Sequence, residues 1–134
     1  MALARVLLAD DHAALLEKVG QLLDREFDVV GKVRDGQALL DAAERLKPDL
    51  VIVDISMPVM GGIEATHRLM EADSNARIVF LTVHEDPNFI REAFAAGASG
   101  YVVKSRIALD LIAAVNEVLA GRSFTSPSSS ATKR

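Results

Sequence analysis

The chain has 134 residues, half of them hydrophobic and a quarter charged, which fits one folded domain with a proper core and argues against disorder. It has no cysteine, so neither a disulfide framework nor a thiolate metal site is available, in keeping with a reducing compartment. A net charge of −4 leaves no basic footprint for nucleic acid, and no apolar run reaches transmembrane length.

Along the chain, strand-like and helix-like patterns alternate five times. The first apolar run, Arg5–Ala9, stops at Asp10-Asp11; carboxylates so close to the start rule poorly for a signal peptide, and a soluble cytoplasmic domain is expected. Helical spacing follows over about Ala13–Arg25, with Leu15, Val19, Leu22 and Leu23 on one face. A second strand is predicted at Phe27–Val33, then a helix carrying Leu39, Ala43 and Leu46, which Lys47-Pro48 ends because Pro disfavours the helical state before it. The third strand is Leu50–Asp54, followed by a helix with Ile63, Thr66, Leu69 and Met70 inward. The fourth is Arg77–Thr82, and Asp86-Pro87 starts the next helix, marked by Ile90, Ala93 and Phe94 and stopped by Gly97. The fifth is Gly100–Val103. The last helix runs from about Arg106 to Ala120, with Ser105 as its N-cap and Gly121 beyond it.

Such alternation implies right-handed crossovers and a parallel sheet covered by helices on both faces. Sheets of this kind bind ligands beyond the carboxyl ends of their strands. Here those ends carry Asp10 and Asp11, Asp54, Thr82 and Lys104. Three carboxylates, a hydroxyl and an ammonium suit a divalent cation and a phosphoryl group. Mg²⁺ favours one or two carboxylates plus waters and phosphate oxygens, and the cation lets crowded carboxylates stay ionised. An ionised Asp54 is then a nucleophile toward phosphorus, forming an acyl phosphate. Lys104 and Thr82 would balance the charge that spreads over the transferring group. Taken singly, each residue has a blander role as cap, turn former, β-former or solvated charge. They share one type of topological position, and the joint reading as a site prevails.

The ordered set resembles the receiver domain of two-component response regulators. The resemblance rests on Asp10-Asp11, on Asp54 with Met57-Pro58-Val59-Met60-Gly61-Gly62 behind it, on Thr82, and on Gly100-Tyr101-Val102-Val103-Lys104. It covers about residues 4–122, so residues 1–122 are assigned to one domain and the Ser-rich 123–134 to a flexible tail or the start of a linker. It implies a single doubly wound sheet of five parallel strands in the flavodoxin-like order 2-1-3-4-5. It implies phosphate acceptance at Asp54 and Mg²⁺ binding by Asp11, Asp54 and the Ser56 carbonyl with support from Asp10. It further implies a phosphoryl grip by Thr82 and Lys104, and Tyr101 as an aromatic that turns inward when Thr82 moves. The expected partner is a sensor histidine kinase or a histidine phosphotransfer domain. No enzyme activity is expected beyond self-phosphorylation and autodephosphorylation.

One departure concerns Ser105, where many receivers have Pro after the lysine. With Gly97-Ala98-Ser99-Gly100-Tyr101 before it, this resembles the branch whose regulators carry a C-terminal helix-turn-helix output domain. An aspartate-nucleophile phosphatase would want a second carboxylate at position 56, where Ser stands. A flavin or dinucleotide site would want a glycine-rich or hydroxyl-rich first loop, and Asp10-Asp11-His12 would repel its phosphate.

Ser56 and His84 lie two residues beyond Asp54 and Thr82 and are expected to tune the acyl phosphate's lifetime by admitting or blocking water. His12 and His67 have no ligand-spaced partners and are assigned no role. The last helix is apolar over more than one stripe: Ala108, Ile112, Val115 and Leu119 form one face, Ile107, Leu111 and Val118 widen it, and Leu109 flanks it. The surplus edge is expected to meet an output domain, a partner protein or a second copy after phosphorylation. No direct nucleic-acid contact and no membrane is expected of this segment.

Overall fold

Unbroken apolar runs become strands because both faces of a parallel sheet are covered. In the computed structural model, which describes residues 3–127, β1 is Arg5–Ala9, β2 Asp28–Val33, β3 Leu50–Val53, β4 Ile78–Thr82 and β5 Gly100–Val103. The helices are α1 Ala13–Leu23, α2 Gly36–Leu46, α3 Gly62–Ala72, α4 Pro87–Ala95 and α5 Ile107–Leu119. All strands pair in parallel, in the order β2-β1-β3-β4-β5 followed by a sixth. β3, β4 and β5 are buried along their whole length. β2, at the edge, is only half-buried and correspondingly less apolar.

The two-residue alternation of side chains splits each strand between two cores. Leu7, Val51, Val53, Ile78, Phe80 and Tyr101 face α2, α3 and α4, where Leu39, Ala65, Leu69 and Ala93 meet them. Val6, Leu8, Leu50, Ile52, Val79 and Val102 face α1 and α5, against Leu16, Val19, Leu23, Leu111, Ala114 and Val118. Each fully buried Leu, Ile or Val contributes about 1.5–3 kcal/mol. This two-sided core holds the strand ends in place.

Lys47, before Pro48, closes α2 as read, in the left-handed region at φ 48°; Asp35, not singled out from the sequence, caps its start by accepting from the Ala38 amide. Asp86 caps α4, with Pro87 in its first turn. Ser105 is not the cap of α5: a 3-10 turn, Lys104–Arg106, comes first and Arg106 takes the cap position. Without a proline to stop it, the chain turns tightly straight out of β5.

Three further expectations differ from the structure. The sheet has six strands, because Phe124–Thr125 pairs alongside β5 as β6. Two residues carry no readable periodicity, and the Ser-rich composition around them reads as tail. Residues 128–134 of that expected tail lie outside the described residues. The buried stripe of α5 is Leu111, Ala114, Val115 and Val118, while Ala108 is exposed; the helix is rotated from the face expected of it. On α1, Leu16 takes the central place assigned to Leu15.

Candidate functional site

Asp10 follows β1, Asp54 follows β3, Thr82 ends β4, and Lys104 follows β5. Main-chain bonds fix the first two: the Asp10 amide donates to the Val33 carbonyl at 3.0 Å and the Asp54 amide to the Ala9 carbonyl at 3.0 Å. Asp10, Asp54 and Thr82 are all buried. Lys104 Nζ lies 2.8 Å from Asp10 Oδ2 and 3.3 Å from Asp54 Oδ2. The ends of β1, β3 and β5 thus converge at Lys104, and Thr82 ends the neighbouring strand β4.

The charges set each other. Burial pushes Asp54 above the ordinary carboxylate range, and the Asp10 charge adds to this, while the Lys104 ammonium and the Ser56 amide pull it down. For Lys104, burial opposes the charge, but hydrogen bonding and attraction to Asp10 and Asp54 prevail and raise its pKa. The ammonium therefore stays charged between two carboxylates.

Asp10, Asp11, His12 and Asp54 each offer a ligand atom within 4.8 Å of the others. Asp10 Oδ2 faces Lys104 Nζ at 2.8 Å and Asp11 Oδ1 faces His12 Nδ1 at 3.1 Å. Three carboxylates gathered in one cleft are a donor set that fits a hard divalent cation. His12 was given no role from the sequence, yet its Nδ1 lies 3.1 Å from both Asp10 Oδ1 and Asp11 Oδ1. It occupies the extended cap position of α1, which folds the ring back over the acidic pair. Its place directly after that pair was the only sequence signal. His67 is exposed on α3, away from this cluster.

Ser56 and His84 do meet: Ser56 Oγ is 3.1 Å from His84 Nε2, bridging the loops after β3 and β4. The His84 ring stacks on Phe89, centroids 4.3 Å apart, and its amide donates to Thr82 Oγ1 at 3.3 Å. Tyr101 is fully buried, and its hydroxyl donates to the His84 carbonyl at 2.7 Å. Burial, with Asp54, Asp86 and Glu85 nearby, pushes the phenol well above its ordinary pKa, so it remains a donor. The inward tyrosine is therefore present in this structure.

Behind Asp54 the chain folds tightly. The Met60 amide donates to the Pro58 carbonyl at 2.7 Å across Val59, which has φ 69°. The Gly62 amide donates to the Ile55 carbonyl at 2.8 Å. A Cβ on Gly62 would lie 2.0 Å from the Asp54 carbonyl oxygen, and one on Gly36 2.3 Å from that of Met60. Both glycines allow the starts of α2 and α3 to press on the Asp54 loop.

A doubly wound parallel sheet with a buried acidic centre and a fixed ammonium at its carboxyl edge belongs to the class of α/β domains whose sites lie beyond the carboxyl ends of the strands. Within that class, the chain belongs to the response regulator receiver domain family, which it matches over residues 6–116. It is 36% identical over 125 residues to the response regulator GacA of Pseudomonas aeruginosa, an alignment covering 92% of this chain and 58% of that protein. With the nitrate/nitrite response regulator protein NarL of Escherichia coli it shares 37% identity over 120 residues, covering 88% and 56%. The chain thus spans little more than half the length of the curated relatives it matches. Among solved structures, a LuxR-family two-component response regulator from Aurantimonas superposes with TM-score 0.90 and 38% identity, over 94% of this chain and 91% of that one. The isolated receiver domain of RcsB from Salmonella enterica, in the presence of phosphomimetic BeF3⁻, superposes with TM-score 0.86 and 26% identity, over 97% and 96%. The doubly wound fold and membership of the receiver family stand as the sequence implied.

Proposed function

We propose that this receiver domain is a phosphorylation switch with Asp54 as its acceptor. The observation that carries the reading is the convergence of Asp10, Asp54 and Lys104 on one point at the strand ends. A carboxylate oxygen of Asp54 attacks the phosphorus of a phosphohistidine on a sensor histidine kinase or a histidine phosphotransfer domain. The phosphorus–nitrogen bond breaks, its electron pair returns to the imidazole, and an acyl phosphate forms on Asp54. The carboxylates of Asp10, Asp11 and Asp54 and the main-chain carbonyl of Ser56 would hold Mg²⁺, which would supply positive charge to offset that of the phosphoryl group. Lys104 and the Thr82 hydroxyl hold the remaining oxygens.

Thr82 Oγ1 meets the His84 amide, and the His84 carbonyl meets Tyr101. A hydroxyl drawn toward the phosphoryl group would therefore pull on the backbone that Tyr101 grips, which carries the signal into β5 on the face that α4 covers. Ser56 and His84, linked over the mouth, set how readily hydrolytic water enters. The domain acts on no outside substrate; it catalyses its own phosphorylation and slow dephosphorylation in the cytoplasm. Its relatives include transcriptional regulatory proteins, which supports an output domain or partner at the α5 face, with a phosphorylation-dependent homodimer as one form of output. No helix among the described residues is long and apolar enough to cross a membrane.

Intact mass after incubation with Mg²⁺ and acetyl phosphate tests this. Wild type should gain one phosphoryl group, and neither a magnesium-free sample nor Asp54→Asn should gain it. A folded wild type without the gain would overturn the acceptor reading.

A further inference from the structure

Beyond α5 the chain turns at Gly121 and runs back along the open edge of β5. The Phe124 amide donates to the Ser99 carbonyl at 3.0 Å and the Ser126 amide to the Tyr101 carbonyl at 2.8 Å. Phe124 packs on the core shared by α1 and α5. Ser126, only 3% exposed, is held by its side chain as well. Its Oγ donates to Asp110 Oδ2 at 2.7 Å and accepts from the Val103 amide at 3.3 Å.

Asp110 is itself buried in the first turn of α5. Arg106 grips it with two bonds, Nε to Oδ2 at 2.7 Å and Nη2 to Oδ1 at 3.3 Å. Burial favours the neutral acid, but the Arg106 and Ser126 hydrogen bonds outweigh it and keep the carboxyl below its ordinary range. Arg106 belongs to the 3-10 turn Lys104–Arg106. That turn begins with the lysine that reaches Asp10 and Asp54.

We propose that Ser126, Asp110 and Arg106 form a clasp that couples the chain leaving the sheet at Pro127 to the positions of Lys104 and Tyr101. Closed, it braces β5 from its outer side at Tyr101 and Val103, and it braces the 3-10 turn through Arg106. Released, β6 loses its side-chain anchor, and both Tyr101 and Lys104 lose a support that lies outside the acidic site. A segment pulled from this edge by whatever follows it is then felt at Asp54. By linkage, occupation of Asp54 is felt at the segment to the same extent. The second half of this coupling rests on the phosphoacceptor reading; the clasp itself rests on geometry alone.

The 134-residue chain supplies its own probe, since Tyr101 is its single tyrosine and it has no tryptophan. Hydrogen exchange, tyrosine emission and the rate of phosphorylation by acetyl phosphate with Mg²⁺ are compared in wild type, Ser126→Ala and Asp110→Asn. Both variants should speed exchange at the Phe124, Ser126 and Val103 amides by about tenfold. They should also shift tyrosine emission and slow phosphorylation by about threefold or more. In wild type, phosphorylation should change exchange at the Ser126 amide. Unaltered exchange in both variants would overturn the clasp. Faster exchange with unaltered emission and phosphorylation would overturn the coupling. A wild type whose mass shows no phosphoryl gain would sink the Asp54 reading, and tyrosine emission in the two variants would then decide the clasp on its own.

Discussion

A carboxylate buried beside another costs stability that its neighbours only partly return, and Asp54 is placed so. Folding raises its pKa, chiefly through burial, with Lys104 opposing and Asp10 reinforcing. The ionised form is thus less favoured in the folded chain than in the unfolded one. Stability at this position falls as pH climbs from the ordinary carboxylate value through the raised folded one. Asp54→Asn removes that cost, so in cation-free buffer near neutral pH it should stabilise the chain by on the order of 1 kcal/mol and raise Tm by a few degrees. Thermal melts of the two proteins check it; a lowered Tm would mean that the Lys104 pair outweighs burial. Asp54, Asp10, Thr82 and Lys104 were legible because each directly ends an apolar run or follows it. His12 was not, because the approach of its ring to Asp10 and Asp11 depends on the backbone angle at the start of α1 and on no spacing pattern.

At the scale of elements, the start of α3 is the tightest joint around the site. Gly62 has no room for a methyl group, since its Cβ would lie 2.0 Å from the Asp54 carbonyl oxygen. Backbone cannot rotate away as a side chain does, so Gly62→Ala should cost about 1–3 kcal/mol and displace the Asp54 loop. Gly121 is the contrast: its φ is 87°, with open space around it. Gly121→Ala should therefore cost about 1–2 kcal/mol from backbone strain alone. Urea unfolding should show both losses. Phosphorylation rates should fall sharply for Gly62→Ala and much less for Gly121→Ala; equal falls would mean that the α3 joint has no special hold on Asp54. The start of α5 shows the limit of local reading. Ser105 is a good capping residue by type, but the turn begins one residue earlier and Arg106 takes the position. The apolar arc of that helix was too wide to show which stripe faces the sheet. Packing chose Leu111, Ala114, Val115 and Val118, leaving Leu109 72% exposed.

For the molecule as a whole, a net charge of −4 and three carboxylates gathered in one cleft predict stabilisation by a hard cation. A ligand that binds only the folded chain adds RT ln(1 + [L]/Kd), about 2.7 kcal/mol at a hundredfold excess over Kd. Thermal melts against Mg²⁺ concentration should show a saturable rise in Tm. Asp11→Asn should keep the fold, because the Asp11 side chain is 37% exposed, and should lose most of that rise. A wild-type Tm indifferent to Mg²⁺ would remove the metal from the proposed mechanism.

The amino-acid sequence by itself determined the alternation of five strands and five helices, the parallel sheet, and the residues at its carboxyl edge. These follow from periodicity and from what directly succeeds each apolar run, which are properties of neighbours in the chain. Only the tertiary structure decided that Lys104 sits between Asp10 and Asp54, that His12 leans over the acidic pair, and that Ser126 closes on Asp110. It also decided which stripe of α5 is buried and that residues 124–125 pair with β5. Those facts depend on rotations and distances between elements far apart in sequence, where packing of the two-sided core chooses among arrangements that local patterns leave equal.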